Sequence, residues 1–226
     1  MIFEFLFSSF LIDDSASARA LSLGAHDAFR IAGRAWIVWV VCWIAMAFFS
    51  KSTKRRESPA QRLEHVIPAG LGFALIFRGG FGGDFLSRRI IPEHSSLPLL
   101  CVIFTILGLL FSVWARFALG SNWSGTVTIK TGHRLIRRGP YRWIRHPIYT
   151  GMLTALLATA IVQGLLSGLV GFAFVFLALY RKARREEKFL AQEFGEAFTE
   201  HRQYTGMFLP RFSRRSEDIS SGAKAP

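Results

Sequence analysis

The sequence predicts an all-α, polytopic integral membrane protein with about five transmembrane helices. Three observations support this fold class. The 226 residues are 51% hydrophobic and have a mean hydropathy of +0.31, long apolar runs recur along the chain, and basic residues cluster beside those runs. A composition this apolar is unusual for a soluble domain.

Four apolar blocks supply the five predicted spans, since a spanning helix needs about 20 mostly apolar residues. Residues 33–49 form the first span. Residues 66–77 form a weaker second one, which is short and contains Pro68. Residues 97–119 form a clear third, interrupted by Arg116 near its end. The block 151–180 is too long for one ordinary span, and its Q-G-L-L-S-G segment at 163–168 favours a break, so we predict a helical hairpin there.

The basic residues predict how these helices are oriented. Most of the 28 Lys and Arg residues lie in the segments 51–65, 120–148 and 181–215. With five spans, all three segments fall on one side of the membrane, and the excess of positive charge assigns that side to the cytoplasm. Because the net charge of +13 sits beside apolar runs, membrane lipids are the expected partners and nucleic acid is not.

The two cysteines predict neither a metal site nor a disulfide framework. Cys42 and Cys101 both lie inside apolar runs, without the spacing to another Cys or His that zinc requires. We interpret them as small buried hydrophobic residues.

The connector at 132–151, G-H-R-L-I-R-R-G-P-Y-R-W-I-R-H-P-I-Y-T-G, carries the densest functional pattern. Gly139 and Pro140 predict a turn, because Gly admits positive φ and Pro fixes its own φ. Pro147 predicts the start of the next helix with His146 just before it, where free backbone N–H groups can meet an anionic ligand. The simpler interpretation is an interfacial aromatic belt with snorkelling arginines.

A second pattern, R-K-A-R-R-E-E at 181–187, lies where the last span leaves the bilayer. Ionisable residues at this depth are candidates for a functional site. Arg181 and Arg185 are four residues apart on one helix face, as are Lys182 and Glu186. The simpler interpretation, which suffices for Glu187, is a solvated turn with ion pairs within the helix. An amphipathic helix is predicted to continue to about residue 204, with Gly195 inside it.

Together these two segments resemble the isoprenylcysteine carboxyl methyltransferase family and the wider group of membrane methyltransferases that includes phospholipid methyltransferases. The matching stretches are L-I-R-R-G-P-Y-R-W-I-R-H-P-I-Y-T-G at 135–151 and R-R-E-E-K-F-L-A-Q-E-F-G-E-A-F at 184–198, followed by Pro210. The resemblance implies S-adenosyl-L-methionine as methyl donor. It also implies a lipophilic acceptor, such as the carboxylate of a prenylated cysteine or of a similar isoprenoid or lipid.

The resemblance further implies a cofactor pocket between the connector and the C-terminal helix, on the cytoplasmic face. Glu186 would accept hydrogen bonds from the ribose hydroxyls. A basic residue would face the acceptor; Arg181, Lys182 and Arg185 are the candidates, and the sequence does not choose among them. The other implied cofactor contacts are His133, Arg134, Leu135, Ile136, Gly139, Tyr141, His146, Pro147, Ile148 and Tyr149.

Four regions follow from these predictions. Residues 1–32 form an N-terminal interfacial segment, 33–119 the first three spans, 120–210 the cofactor-binding unit, and 211–226 a disordered tail. Two other functions compete with methyl transfer. The sterol reductases, which use NADPH, carry a similar C-terminal stretch, and a non-enzymatic scaffold could use the basic face to bind lipid. The sequence does not indicate an oligomeric state.

Overall fold

The computed structural model describes residues 23–48, 53–56, 58–78, 83–92, 96–120, 128–130 and 135–211. Within these ranges the chain forms seven α-helices, two short strands and one 3-10 helix. The helices are α1 (Ala25–Ala47), α2 (Pro59–Arg78), α3 (Gly83–Leu86), α4 (Leu97–Leu119), α5 (Pro147–Gln163), α6 (Leu166–Phe194) and α7 (Glu196–Tyr204). The strands are β1 (Thr53–Arg56) and β2 (Thr128–Lys130), and the 3-10 helix is Gly139–Arg142. The predictions for the N-terminal segment and the C-terminal tail fall largely on residues 1–22 and 212–226, outside the described residues.

The helical class is confirmed, with one difference. β1 and β2 pair antiparallel, with Thr53 opposite Lys130 and Arg56 opposite Thr128. Pairing lets two connectors satisfy backbone N–H and C=O groups that helices would otherwise satisfy. It also brings two of the three basic segments together, as the predicted orientation requires.

Three of the described helices are long and apolar enough to cross a membrane: α1, α4 and α6. α5 is apolar but has 17 residues. α2 has 20 residues and is less apolar, with Arg62 and Glu64 near its start and Pro68 inside it. Length and composition therefore support three spans among the described residues.

The break predicted at 163–168 lies at Gly164, where φ is +76°. This left-handed conformation suits glycine and ends α5. The Gly164 carbonyl accepts the N–H groups of Ile90 and Ile91, and the N–H of Leu166 donates to Arg88 O. A second break lies at Gly195, the residue that interrupts the predicted amphipathic helix: with φ +51°, it separates α6 from α7.

Glycines let two pairs of helices touch through their backbones. A Cβ at Gly151 of α5 would lie 2.4 Å from the carbonyl oxygen of Gly108 in α4. A Cβ at Gly171 of α6 would lie 2.5 Å from Gly72 O in α2. Small residues at such crossings are the usual way in which membrane helices approach closely.

Polar side chains between the apolar helices bond to one another. The indole N–H of Trp36 in α1 donates to Thr159 Oγ1 in α5 at 3.1 Å. The indole N–H of Trp39 donates to Ser112 Oγ in α4 at 2.7 Å. Such bonds tie α1 to its neighbours where water is absent.

Arg116, the charge inside the third predicted span, caps two helices. Its side chain donates 2.7 Å bonds to Gly120 O, just after α4, and to Met46 O, near the end of α1. It is 4% exposed. A cation is favourable at helix C-termini, so the position of this arginine follows from the carbonyl groups around it.

The cysteines differ from each other. Cys101 is buried, as predicted, whereas Cys42 is exposed. The burial prediction was wrong for Cys42 because one whole face of α1 lies on the outside of the helices. That face includes Ile37, Val38, Val41 and Ile44.

Candidate active site

The connector begins with a tight turn that buries an aromatic side chain. Gly139 has φ +58°, and a Cβ there would lie 3.2 Å from the Cβ of Ala118. Pro140 and Tyr141 follow in the 3-10 helix and are buried. Burial, followed by the negative charge of Glu186, raises the pKa of Tyr141. The turn therefore fixes the connector against the end of α4, as the Gly-Pro pair predicts.

His146 occupies the position before α5, and Pro147 opens that helix. The φ and ψ of His146 are −123° and 58°, outside the helical region, which agrees with the restriction that a following proline imposes. Pro147 and Ile148 are buried beside it. The backbone therefore directs the His146 ring towards α6 from a fixed point.

The centre of the candidate site is the His146 ring between two neighbouring carboxylates of α6. Nδ1 lies 3.5 Å from Glu186 Oε2, and Nε2 lies 3.4 Å from Glu187 Oε1. Burial alone would lower the pKa of His146, but the facing carboxylates of Glu186 and Glu187 outweigh it and raise this pKa. A carboxylate oxygen thus faces each ring nitrogen, and the buried Nε2 makes no hydrogen bond to the described residues.

Glu186 combines fixed donors with access to solvent. The Tyr149 hydroxyl donates to Glu186 Oε1 at 2.7 Å. The Tyr149 ring stacks on His146 with centroids 5.5 Å apart, and the Lys182 ammonium lies 5.5 Å from the Tyr149 centroid. The Glu186 side chain is 22% exposed. A carboxylate has about four acceptor positions, so Glu186 can still accept hydrogen bonds from a ligand.

Glu187 is buried, which the solvated-turn interpretation did not predict. It is 5% exposed and accepts a 2.7 Å bond from Arg145 Nε as well as facing His146. Arg145 also donates to the backbone carbonyl of Thr205. One sequence signal could have found this arrangement: the basic pair at 145–146 equals the acidic pair at 186–187 in number and is opposite to it in charge.

Residues 205–209, which we call the C-terminal strap, cross the start of α5. The N–H groups of Arg145 and His146 donate to Gly206 O at 2.9 Å and Met207 O at 3.1 Å. Thr150 Oγ1 donates to Phe208 O at 2.7 Å. The strap covers one side of the His146 cluster, and no pattern in the sequence predicted it.

The other predicted site residues divide into three groups. Ile136 packs with Tyr141 and Ile148, and Leu135 is half-buried next to it. Arg185 lies away from the cluster, since it donates to Gln61 O at 2.6 Å and to Glu64, both in α2. Arg181 is exposed on α6. His133 and Arg134 lie outside the described residues.

The site brings together the Glu186 carboxylate, which can accept hydrogen bonds, the aromatic ring of Tyr149 and the ammonium group of Lys182. Among the described residues of the cluster there is no hydroxyl or thiol nucleophile paired with a free base. No group of three or more His, Cys, Asp or Glu side chains among the described residues could hold a metal ion. The geometry suits the binding and positioning of reactants beside Glu186.

Residues 100–192 match the family model described as "Isoprenylcysteine carboxyl methyltransferase (ICMT) family". This segment contains most of α4, the connector, α5 and the part of α6 that carries Glu186 and Glu187. The match confirms the resemblance predicted from the two motifs.

Three relatives with assigned names agree with it. The chain is 29% identical to the protein-S-isoprenylcysteine O-methyltransferase of Xenopus laevis over 76% of its own length and 63% of the relative's. It is 30% identical to the enzyme of that name from Saccharomyces cerevisiae, covering 52% of each. It is 38% identical to methanethiol S-methyltransferase 2 of Bradyrhizobium diazoefficiens, over 34% of this chain and 30% of the relative. The chain thus spans less than two thirds of each of these proteins.

Proposed function

We propose that this chain, which carries the isoprenylcysteine carboxyl methyltransferase pattern over residues 100–192, is an integral membrane methyltransferase. It transfers a methyl group from S-adenosyl-L-methionine to a lipophilic acceptor, in the first instance the carboxylate of a prenylated cysteine or of a similar isoprenoid or lipid. The observation that carries the proposal is the partly exposed Glu186 carboxylate, which Tyr149 and His146 hold in place within the matched segment.

The membrane topology belongs to the same proposal. α1, α2, α4, α5 and α6 are the five spans, and α5 and α6 form the hairpin. The strand pairing and the basic segments then lie on the cytoplasmic side, where a soluble cofactor has access. In this arrangement α1, α2 and α4, within residues 25–119, supply the first three spans, and residues 120–210 supply the cofactor unit. The segments 1–24 and 211–226 flank them.

The residues present fit the methyl donor. Glu186 has acceptor capacity for the two ribose hydroxyls, and Tyr149 offers an aromatic face beside it. In this proposal the predicted contacts on the connector side are Leu135, Ile136, Gly139 and Tyr141, with Pro147 and Ile148 at the start of α5. When bound, the donor supplies an activated methyl group on a sulfonium.

The acceptor needs orientation more than activation. An ionised carboxylate is already a nucleophile, so the S–CH₃ bond can break as the O–CH₃ bond forms without a general base. Positioning two reactants can contribute up to about 7–11 kcal/mol. Lys182 lies on the cluster side of α6 and Arg181 is its exposed neighbour, so we assign the acceptor-facing role to this pair. Arg185, bonded to α2, would position the helix.

Calorimetry on the detergent-purified protein tests the cofactor. We expect S-adenosylhomocysteine to bind and NADPH not to bind. Glu186→Ala should weaken binding of S-adenosylhomocysteine at least about tenfold, as expected for loss of charge-assisted hydrogen bonds. Glu193→Ala, at an exposed site on the same helix, should bind as wild type does. Binding of NADPH alone would instead indicate a reductase, and binding of neither would indicate the lipid-binding scaffold.

A small thiol is the second acceptor class. The name of the Bradyrhizobium diazoefficiens relative states methanethiol as the methyl acceptor of that protein. Transfer of labelled methyl groups to an S-prenyl cysteine and to methanethiol, measured side by side, separates the two. We expect the prenyl carboxylate to be preferred; preference for the thiol would reassign the acceptor.

A further inference from the structure

A row of aromatic rings connects the His146 cluster with the outside of α6. Tyr149 stacks on His146, and the His146 and Phe208 centroids are 6.1 Å apart. Phe208 lies 6.1 Å from Phe176, which in turn stacks on Tyr180 at 6.4 Å. Phe176 and Tyr180 are 42% and 40% exposed. The row therefore begins at a buried charged cluster and ends on an apolar surface that faces lipid in the proposed topology.

Phe208 is the ring in this row that the C-terminal strap contributes. The strap inserts it between the start of α5 and the middle of α6, where it packs against the core that contains Leu153, Val175 and Leu179. Two hydrogen bonds hold the strap at this ring. The Thr150 hydroxyl donates to the carbonyl of Phe208, and the His146 N–H donates to the carbonyl of Met207.

This position gives Phe208 two neighbours of opposite character. On one side is the polar His146 cluster with its two carboxylates, for which contact with lipid is costly. On the other side is the exposed edge of Phe176. An acceptor with a polar head and an apolar chain must place its head at the cluster and its chain towards the lipid. The apolar chain of the acceptor must therefore pass the ring of Phe208 or end against it.

We propose that Phe208 is a specificity-determining residue that sets the length of the apolar chain accepted beside the His146 cluster. The inference rests on the proposed methyl transfer to a lipophilic acceptor and narrows its substrate class. The ring forms the end wall of the chain site, so removing it lengthens that site. The site then opens towards Phe176 and Tyr180.

The test compares acceptors that differ only in chain length. Wild type, Phe208→Ala and Phe208→Leu are assayed for kcat/KM with S-prenyl cysteines that carry one, two, three or four isoprene units. We expect Phe208→Ala to shift the preference by at least one isoprene unit, with a change in the long-to-short ratio of about tenfold or more, in the range that pocket shape can supply. Phe208→Leu should shift it less, and the KM for S-adenosyl-L-methionine should change less than about twofold.

Leu209→Ala is the matched control, since Leu209 is the next strap residue and is 74% exposed; its length profile should equal that of wild type. If Phe208→Ala and Phe208→Leu lower kcat/KM for every acceptor by one common factor, Phe208 is only structural and the proposal is wrong. Failure of the proposed function would instead be seen in wild type, either as no binding of the methyl donor or as binding of the donor without methyl transfer to any acceptor of the series. Binding of the donor without transfer also overturns the role of Phe208.

Discussion

α5 and α6 are held against their neighbours by two opposite means. Where α5 crosses α4 and α6 crosses α2, the packing depends on the absence of side-chain atoms: Gly151 meets Gly108, and Gly171 meets Gly72, backbone against backbone. At the start of α5, His146 and Arg145 meet Glu186 and Glu187, so the contact depends on charge. The first region should be sensitive to added volume and the second to lost charge. Substitutions that separate these two sensitivities test the comparison.

The largest effect is expected for Glu187→Ala. The Glu187 carboxylate is buried and faces both Arg145 and His146, so the substitution removes a partner from each of them. Removing one partner of a buried ion pair lowers the free energy of unfolding by about 3–5 kcal/mol. The free energy of unfolding in mixed detergent micelles measures the loss. Glu193→Ala, on the exposed face of α6, is the control and should change little. A loss below about 1 kcal/mol for Glu187→Ala would mean that charge does not hold this end together.

Gly151→Ala should cost somewhat less, about 1–3 kcal/mol, because the new methyl group overlaps the Gly108 carbonyl and forces α4 and α5 apart. The same unfolding titration measures it. Gly70→Ala is matched in chemistry, but nothing lies within 4 Å of its Cβ position; it should be neutral or slightly stabilising. If both variants behave alike, close backbone contact is not what stabilises the α4–α5 pair.

A pH titration should distinguish two histidines of the charged end. Burial, followed by the charges of Arg137 and Arg145, lowers the pKa of His201 to about 4 from its ordinary 6.5. The unfolded chain therefore binds the proton more readily, and stability should fall as the pH drops from 6.5 towards 4. His146 has a raised pKa, so its contribution is complete below 6.5 and is lost as the pH rises through the higher folded value.

His201→Gln should remove up to about 3 kcal/mol of the acid-side loss, and His146→Gln should remove the loss on the alkaline side. Free energies of unfolding measured across pH 4–8 check both. If the free energy of unfolding of His201→Gln falls between pH 6.5 and 4 as much as that of wild type, groups other than His201 cause the loss of stability in acid.

The smallest effect is expected for Arg185→Gln. Arg185 bonds to Gln61 O and Glu64 at the start of α2, and Glu64 is mostly exposed. Exposed ion pairs contribute about 0–1 kcal/mol. Stability and binding of S-adenosylhomocysteine should both stay near wild type. A tenfold loss of binding would move Arg185 into the cofactor site and would extend the charge-dependent end to α2.

The comparison also explains which parts of the molecule were predictable from the sequence. The bounds of α4 match the predicted 97–119, because a long apolar run with Ser96 before it and Gly120 after it defines its own ends. The turn at Gly139 and the helix start at Pro147 were likewise local consequences of Gly and Pro. α1 begins at Ala25 instead of 33, since polar residues near its start, such as Asp27, obscured the beginning of the helix.

The tertiary contacts of the charged end were not predictable. The burial of Glu187 requires α6 to meet a connector some 40 residues earlier, and the strap reaches its partners from about 60 residues away. Helical spacing places Arg181 and Arg185 on one face of α6 but does not predict which helix packs against that face. The contact of α6 with α2 at Gly171 and Gly72 determines it, and the sequence alone did not reveal the importance of these glycines.

The bond from the His146 N–H to Met207 O has a consequence for biosynthesis. Residues 205–209 leave the ribosome after every helix described here, so the helices are available for membrane insertion before the candidate site can be completed. A chain that ends before residue 205 would therefore have its helices but would leave one side of the charged cluster uncovered.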